Sequence, residues 1–401
     1  MQYSLTVKGE YWAVREIIVA GAGTGQLTPE VQEAVNDADV IFCAERFTIM
    51  IPSGKRRMDI MNFNEIEHET GKILLLVSGD PGLFSLLPVI KRKFPDERIT
   101  VLPGISSLQM ICARACESWN DAAILSGHGR QLSPGVFLNT IERNRITILF
   151  CDKNISPSWA CNSLCSIAGL DVFIGECLGT PEERVTSGTP EELCAREYMQ
   201  PSIVLIRSNQ PYTPVTLYPR DNDFIRAENI VMTHEAVRPV ILSRLNLNSN
   251  SVLWDIGAGT GSISICSGLA FPFIDIHAVE YKPEAADVIA RNAKKFHLHN
   301  INIHSSHALE VIDALPKPSS VFIGGSEGEL PGILEYLSGL SVHVVIACVT
   351  LETFNTAYNI MRDWHNFEAV QVSISSSKYL THTSTLMKPQ APVMVLSAEA
   401  E

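Results

Sequence analysis

The chain has no uninterrupted apolar stretch that reaches the length of a bilayer span; VHVVIACVTL is too short. The N-terminal stretch MQYSLTVKGEYWAVRE has no apolar core of the signal-peptide type, which predicts a cytoplasmic protein without a membrane partner. Lysine and arginine form no run longer than three residues. With 31 basic against 44 acidic residues and a net charge of −13, nucleic acid is not an expected partner, because phosphate backbones demand a basic stripe. A small anion would need only a few local arginines. The ten cysteines include no C-x-x-C pair, so a zinc or disulfide framework is not expected and no metal is assigned. Cys112 and Cys116, like Cys161 and Cys165, stand four apart, the spacing of one helix face. They read as packed free thiols of a reducing compartment.

What is present suits a soluble globular protein: 46% hydrophobic and 19% charged residues, over 401 positions that favour two domains. The first half alternates strand-like runs (EIIVAG, DVIFCA, KILLLVSG, RITVLPG, AAILSG, ITILFC, DVFIGEC, SIVLIRS) with helical ones. Pro29–Asp37 is one such helix, with Thr28 as its N-cap. The Pro-punctuated stretch RSNQPYTPVTLYPRDNDF then breaks the pattern. It divides the chain into an N-terminal domain over 1–210, a linker over 211–224 and a C-terminal domain over 225–401. The latter opens on a predicted helix, THEAVRPVILSRL. Five βα units follow, from SVLWDIG to VHVVIAC and a helix from Leu351 to about Asp363. FEAVQVSIS and APVMVLSA close them as an antiparallel edge pair, a pattern that predicts an open, doubly wound α/β sheet.

The pentapeptide GAGTG occurs twice, each time after a β-branched apolar run. In the second copy Asp255 ends the strand, and Gly257, Gly259, Thr260 and Gly261 turn directly into a helix. A dinucleotide fingerprint would place its third glycine where Ser262 stands. The next strand ends in Glu280, where a carboxylate can accept both ribose hydroxyls, and no basic residue accompanies it for a 2′-phosphate. An acid before the loop can hold the ammonium of an amino-acid ligand, which no dinucleotide carries. Adenosine plus methionine is S-adenosylmethionine, so the two carboxylates and the loop favour a methyl donor over NAD.

The stretch Met232–Phe354 resembles the class I methyltransferases, and more narrowly the decarboxylating precorrin methyltransferases. The residues that carry this are MTHEAVRPVILSRL, WDIGAGTGSISI, AVEYKPEAADVIARNAKKF, VFIGGSEGELPGILEYL and ACVTLETF. The resemblance implies Thr233 near the cofactor, Gly257, Gly259, Thr260 and Gly261 at its methionine end, Glu280 at the ribose and Ala308 beside the adenine. It places Gly324, Gly325 and Ser326 near the reacting centre, against the substrate. The family usually has lysine where this chain has His234.

In the first copy no acid precedes the glycines. By spacing, Glu45 imitates a dinucleotide acid, but LVSGDPGLFSLL and VLPGISSLQMICARA resemble the tetrapyrrole (class III) methyltransferases instead. SGHGR, GECLGTPEERVTSGTPEEL and SIVLIRS extend that match, from about Ile17 to Arg207. The implied fold is two αβα lobes with the cofactor between them. Gly79, Asp80, Leu83, Ser106 and Ser107 would line that trough. Arg46, Arg114, His128 and Arg130 are candidates for pairing with the carboxylates of an anionic macrocycle, His128 and Arg130 as catalytic residues. A surface salt bridge is the competing reading for Arg114. The family's first loop normally has proline where Thr24 stands. The repeated pentapeptide is thus a coincidence of two unrelated folds.

Methyl transfer from a sulfonium to carbon is an in-line displacement whose leaving group needs no proton, so alignment and exclusion of water are the main tasks. One S-adenosylmethionine per domain is expected. Decarboxylation of a ring acetate needs an electron sink, which a conjugated macrocycle supplies; Arg238 or His234 is the expected donor orienting that carboxylate. His297, His299, His304 and His307 invite a metal reading, but their spacings do not converge. The resemblance implies methylation at carbons 5 and 15 of a precorrin, with or without cobalt, by an enzyme that associates with copies of itself. The competing reading is an RNA or protein methyltransferase fused to a non-catalytic scaffold. Its asparagine-proline-proline-aromatic signature is replaced here by IGGSEGELP.

Overall fold

The computed structural model describes residues 15–23, 27–127, 132–214, 216–382 and 384–400. The chain forms two compact units, one of Met1–Gln131 with Arg145–Asn209 and the other of Leu132–Asn144 with Gln210–Glu401. Among the described residues no helix is long and apolar enough to cross a membrane.

The first unit holds two five-stranded sheets. One is formed by β1 (Arg15–Gly21), β2 (Val40–Cys43), β3 (Arg56–Asp59), β4 (Gly71–Val77) and β5 (Arg98–Leu102), in the order β3-β2-β4-β1-β5. All its pairings are parallel. Its central strands are near-continuous apolar runs, as burial on both faces requires; Ile73 to Leu76 are all fully buried. The other contains β6 (Ala123–Ser126), β7 (Ile146–Phe150), β8 (Leu170–Glu176), β9 (Arg184–Gly188) and β10 (Ser202–Ser208), in the order β6-β7-β10-β8-β9. It is mixed, since β10 runs antiparallel to both its neighbours. The helix Pro29–Asp37 forms as expected, with the Thr28 hydroxyl accepting from Val31 N at 3.3 Å. Two strands escape the sequence pattern: β3 (RRMD) and β9 (RVTSG) are short, polar and at sheet edges, where no alternation is enforced.

The second unit is built on seven strands: β11 (Val252–Ile256), β12 (Asp275–Val279), β13 (Ile301–His304), β14 (Ser320–Ile323), β15 (Val342–Cys348), β16 (His365–Val372) and β19 (Val393–Ala400). Their order is β13-β12-β11-β14-β15-β19-β16. The first five are parallel, and β19 lies antiparallel between β15 and β16. The α/β class and the late antiparallel pair therefore match the sequence pattern. The polar connection between the last two strands is itself a hairpin, β17 (Ser375–Thr381) with β18 (Ser384–Pro389). Helix formation in THEAVRPVILSRL begins only at Arg238, after a turn at 235–237, because Pro239 is tolerated in a first turn and not deeper.

All ten cysteines are free. Cys112 and Cys161 are buried, whereas Cys116 and Cys165 are exposed, so the two pairs do not share a packed face. Cys116 ends its helix in the left-handed region at φ 53°, which swings it off the buried stripe.

Candidate active site

The site of the second unit grows from the middle of its sheet. β11 lies between β12 and β14, and Trp254 and Ile256 are buried on one of its faces. Asp255, between them, is fully buried. Its Oδ2 accepts the Ser264 amide at 3.0 Å and the Ser264 hydroxyl at 2.5 Å, which ties the strand end to the first turn of the helix Ser262–Ala270. Burial pushes the Asp255 carboxyl up to about 6, against the lowering effect of the Ser264 bonds. Asp255 stands behind the glycine turn, and Glu280 rather than Asp255 lines the cavity beyond it.

Three glycines at positive φ make that turn: Gly257 at 69°, Gly259 at 58° and Gly261 at 76°. At Gly257 a β-carbon would also run into the Gly325 carbonyl oxygen and come within 2.6 Å of the Gly325 nitrogen. At Gly259 it would meet the Val231 carbonyl oxygen. The loops after β11 and β14 and the segment before Arg238 therefore touch backbone to backbone.

Glu280, at the end of β12, is buried and bridges two of these parts. Its Oε2 accepts from Gly259 N at 2.9 Å and its Oε1 from Lys282 N at 3.1 Å. Asn292 performs a similar service from the helix Pro283–Lys295, donating to the carbonyls of Thr260 at 2.9 Å and Ile225 at 3.1 Å. The sequence reading missed Asn292; the signal was an amide on the buried stripe of an amphipathic helix.

Around this turn lies a cavity of about 860 Å³, counted out to its solvent mouth. Thr233, Gly257, Gly259, Glu280, Ala308 and the run Gly324–Ser326 all line it, so residues far apart in the sequence meet there. Thr260 and Gly261 sit in the turn without lining the cavity, and Thr260 is fully buried. Tyr281, Lys282, His307, Glu327 and Glu329 join the wall and were not foreseen. The His307 ring packs against Tyr281 at 5.1 Å and its Nδ1 lies 3.5 Å from a Glu329 oxygen. Against Glu280, Glu327 and Glu329 the wall sets one lysine, Lys282, and one histidine. That balance suits a ligand carrying a sulfonium and an ammonium, and disfavours a pyrophosphate.

His234 and Arg238, expected to face a substrate carboxylate, do not line this cavity. Arg238 is 1% exposed. It donates to the Pro219 carbonyl at 3.0 Å, pairs with Asp221 and lies 4.7 Å from the Phe224 ring centre. Its charge is consumed in pinning the preceding segment to the core. His234 Nδ1 accepts from Ala236 N at 3.1 Å in the adjoining turn. The four histidines likewise separate: His297 and His299 face Glu142 at 3.4 and 3.0 Å, and His304 meets His277 at 3.0 Å.

In the first unit the loops after β1, β4 and β5 converge. A β-carbon on Gly21 would strike the Gly79 carbonyl oxygen and come within 2.7 Å of Gly104 Cα. Asp80 braces this knot, accepting from Gly82 N at 2.7 Å and Gly104 N at 3.4 Å, and Leu83 turns back onto the Asp80 carbonyl. Ser106 caps the helix Ser107–Ala115, its hydroxyl accepting from Gln109 N at 3.2 Å. Arg46 donates to the Ser78 hydroxyl beside this loop, over the Phe47 ring, and burial lowers its pKa. Arg114 makes an ion pair with Glu183 at 2.7 Å, so the surface salt bridge is realised. His128, Arg130 and Thr24 lie outside the described residues.

Residues 226–400 match the family model of the precorrin methyltransferase domain, and residues 16–194 that of the tetrapyrrole (corrin/porphyrin) methylases. A cobalt-precorrin-6B C(15)-methyltransferase (decarboxylating) of Salmonella typhi is 34% identical over 188 residues, covering 45% of this chain and 96% of that protein. The chain belongs to the decarboxylating precorrin methyltransferases.

A second member of that family, the precorrin-6Y C(5,15)-methyltransferase [decarboxylating] of a Sinorhizobium species, is 28% identical over 275 residues, which is 66% of this chain and 64% of that protein. That alignment is longer than either matched segment. A crystal structure of a precorrin-6y C5,15-methyltransferase from Geobacter metallireducens is similar over 45% of this chain and 96% of its own, at 32% identity and a TM-score of 0.43.

Proposed function

We propose that this chain methylates a precorrin-class macrocycle at carbons 5 and 15 and removes carbon dioxide from its ring C acetate arm, in cobalamin biosynthesis. The observation that carries this reading is the cavity in which Glu280, the Gly257–Gly261 turn and Gly324–Ser326 meet. S-adenosylmethionine is the donor in each unit and supplies an electrophilic methyl group.

In the second unit Glu280 receives the ribose hydroxyls on lone pairs left free by its two backbone bonds, and Ala308 flanks the base. The glycine turn admits the methionine end where side chains would block it. Gly324–Ser326 lie at the reacting end. Positioning and dehydration perform the transfer, since the attacking carbon of the conjugated ring is already electron-rich. Loss of carbon dioxide leaves an electron pair that the ring delocalises until a proton from solvent converts the arm to a methyl group, so the protein's part is to hold the acetate arm in a dry site while the carbon dioxide leaves. In the first unit, Gly79, Asp80 and Ser106 shape the loops around the donor, and Arg46 meets an acidic side arm.

Incubating the full chain with a precorrin and S-adenosylmethionine should yield a product with two methyl groups gained and one carboxyl group lost, read by mass spectrometry. A product with no carboxyl loss would refute the assignment of the second unit. A single added methyl together with decarboxylation would instead make the first unit a non-catalytic scaffold.

The chain also associates with copies of itself in this reading. Tyr379, Leu386 and Met387, which are 80, 48 and 58% exposed on the β17–β18 hairpin, support that view. Replacing Leu386 and Met387 by aspartate should lower the mass seen by light scattering without unfolding either unit; an unchanged mass would remove the hairpin from any such interface.

A further inference from the structure

Four of the five parallel strand ends in the second unit already have a place around the cavity. Gly257 follows β11, Glu280 follows β12, Ala308 opens the short helix after β13, and Gly324–Ser326 follow β14. Ligands of open α/β sheets gather at these carboxyl ends. The remaining parallel end is that of β15, next to β14 in the sheet. Ile323, the last residue of β14, is opposite Ile346 of β15, so the loop that carries Gly324–Ser326 and the turn that carries Val349 leave neighbouring strands at the same end of the sheet.

Two large aliphatic side chains stand at that end. Val349 is 66% exposed and Leu351 is 81% exposed. They do not belong to a loose loop tip. Cys348 just before them is buried, and the intervening Thr350 caps the helix Leu351–Met361, its hydroxyl accepting from Thr353 N at 3.2 Å. The backbone thus holds both side chains outward on a fixed turn. Two apolar groups displayed together at the strand end next to a cavity-lining loop mark a contact surface more often than a scattered single exposure does.

We propose that Val349 and Leu351 form an apolar shelf on which the acceptor macrocycle lays one flat face, beside the reacting end of the donor cavity. This rests on the function proposed above. The shelf orders the occupants along the sheet edge: the nucleoside at β12 and β13, the methionine end at β11, the reacting loop at β14 and the acceptor at β15. A flat conjugated ring buries both side chains at once, whereas its charged side arms stay at the rim in water. Val349 and Leu351 are therefore specificity-determining residues for the acceptor and have no part in holding the donor.

The test is the Val349→Ser, Leu351→Ser double variant of the full chain. For decarboxylation and carbon-15 methylation, KM for the precorrin should rise roughly 10-fold or more with kcat largely kept, the pattern of lost uniform binding to a buried apolar pair. Adenosylhomocysteine affinity and carbon-5 methylation should match the parent protein. The Val349→Ile, Leu351→Met variant should keep the parent KM. An unchanged KM in the serine variant overturns the shelf, and so does a changed mass in light scattering with KM unmoved, which would make this face an interface between copies. A parent chain that converts no precorrin defeats the underlying function instead, so the two failures are distinguishable.

Discussion

Gly257→Ala should lower affinity for adenosylhomocysteine on the order of 100-fold and destabilise the second unit by about 2 kcal/mol or more. Two effects combine. Gly257 has φ 69°, a conformation in which any L side chain is strained by about 1–2 kcal/mol. The added methyl would also collide with the Gly325 carbonyl and sit 2.6 Å from the Gly325 nitrogen, and neither backbone group can rotate away as a side chain would. The turn or its neighbour must move, and with it the cavity wall that both supply. Gly169→Ala separates the two contributions, because Gly169 has φ 76° and an added β-carbon there would meet nothing within 4 Å. That control should show the conformational strain alone, about 1 kcal/mol in a thermal or denaturant melt, with ligand affinity intact. Calorimetry with adenosylhomocysteine reads the affinity. If Gly257→Ala binds as tightly as the parent, the turn is not part of the donor site. In the precorrin assay the same variant should lose decarboxylation and carbon-15 methylation while carbon-5 methylation continues.

Asp255→Asn should flatten the pH dependence of stability between about pH 4 and 6. Burial raises the folded carboxyl to about 6 from an ordinary value of 3.8. A raised acid binds its proton more tightly in the folded state, so its contribution is fully present below the unfolded value and declines as pH climbs through the folded one. Over that window the shift corresponds to about 3 kcal/mol of stability lost from this group. Asparagine keeps the shape and an oxygen to accept from Ser264 but carries no charge, so the variant escapes that loss. Denaturant melts of the parent and the variant at pH 4 and at pH 7 measure it. Relative to the parent, the variant should gain roughly 3 kcal/mol between the two conditions. An equal slope in both proteins would show that Asp255 titrates as an ordinary carboxylate.

Much of the second unit could be read along the chain. The apolar runs of β11 and β14 imply burial on both faces, and the spacing from GAGTG to Glu280 is that of consecutive βα units. The residues carried over from the family motifs converge to a large extent: Thr233, Gly257, Gly259, Glu280, Ala308 and Gly324–Ser326 share one cavity. Other assignments depend on contacts between residues far apart in the chain. Arg238 looked like a free cation because its partners, Pro219 and Asp221, lie in an irregular segment with no period to reveal them. Arg114 was open between two roles until Glu183, far along the chain, arrived beside it.

The order of strands and glycine turns, and the two carboxylates at the strand ends, were determined by the sequence itself, because periodicity and backbone freedom are properties of neighbouring residues. Only the tertiary structure decided which polar groups are committed elsewhere. Asp255 turns inward to Ser264 while Glu280 remains on the cavity wall, and Arg238 is drawn into the core while Tyr281, Lys282 and His307 come to the cavity. The physical reason is that a buried charge or donor must find its partner in space, and that partner is set by the packing of whole elements against each other.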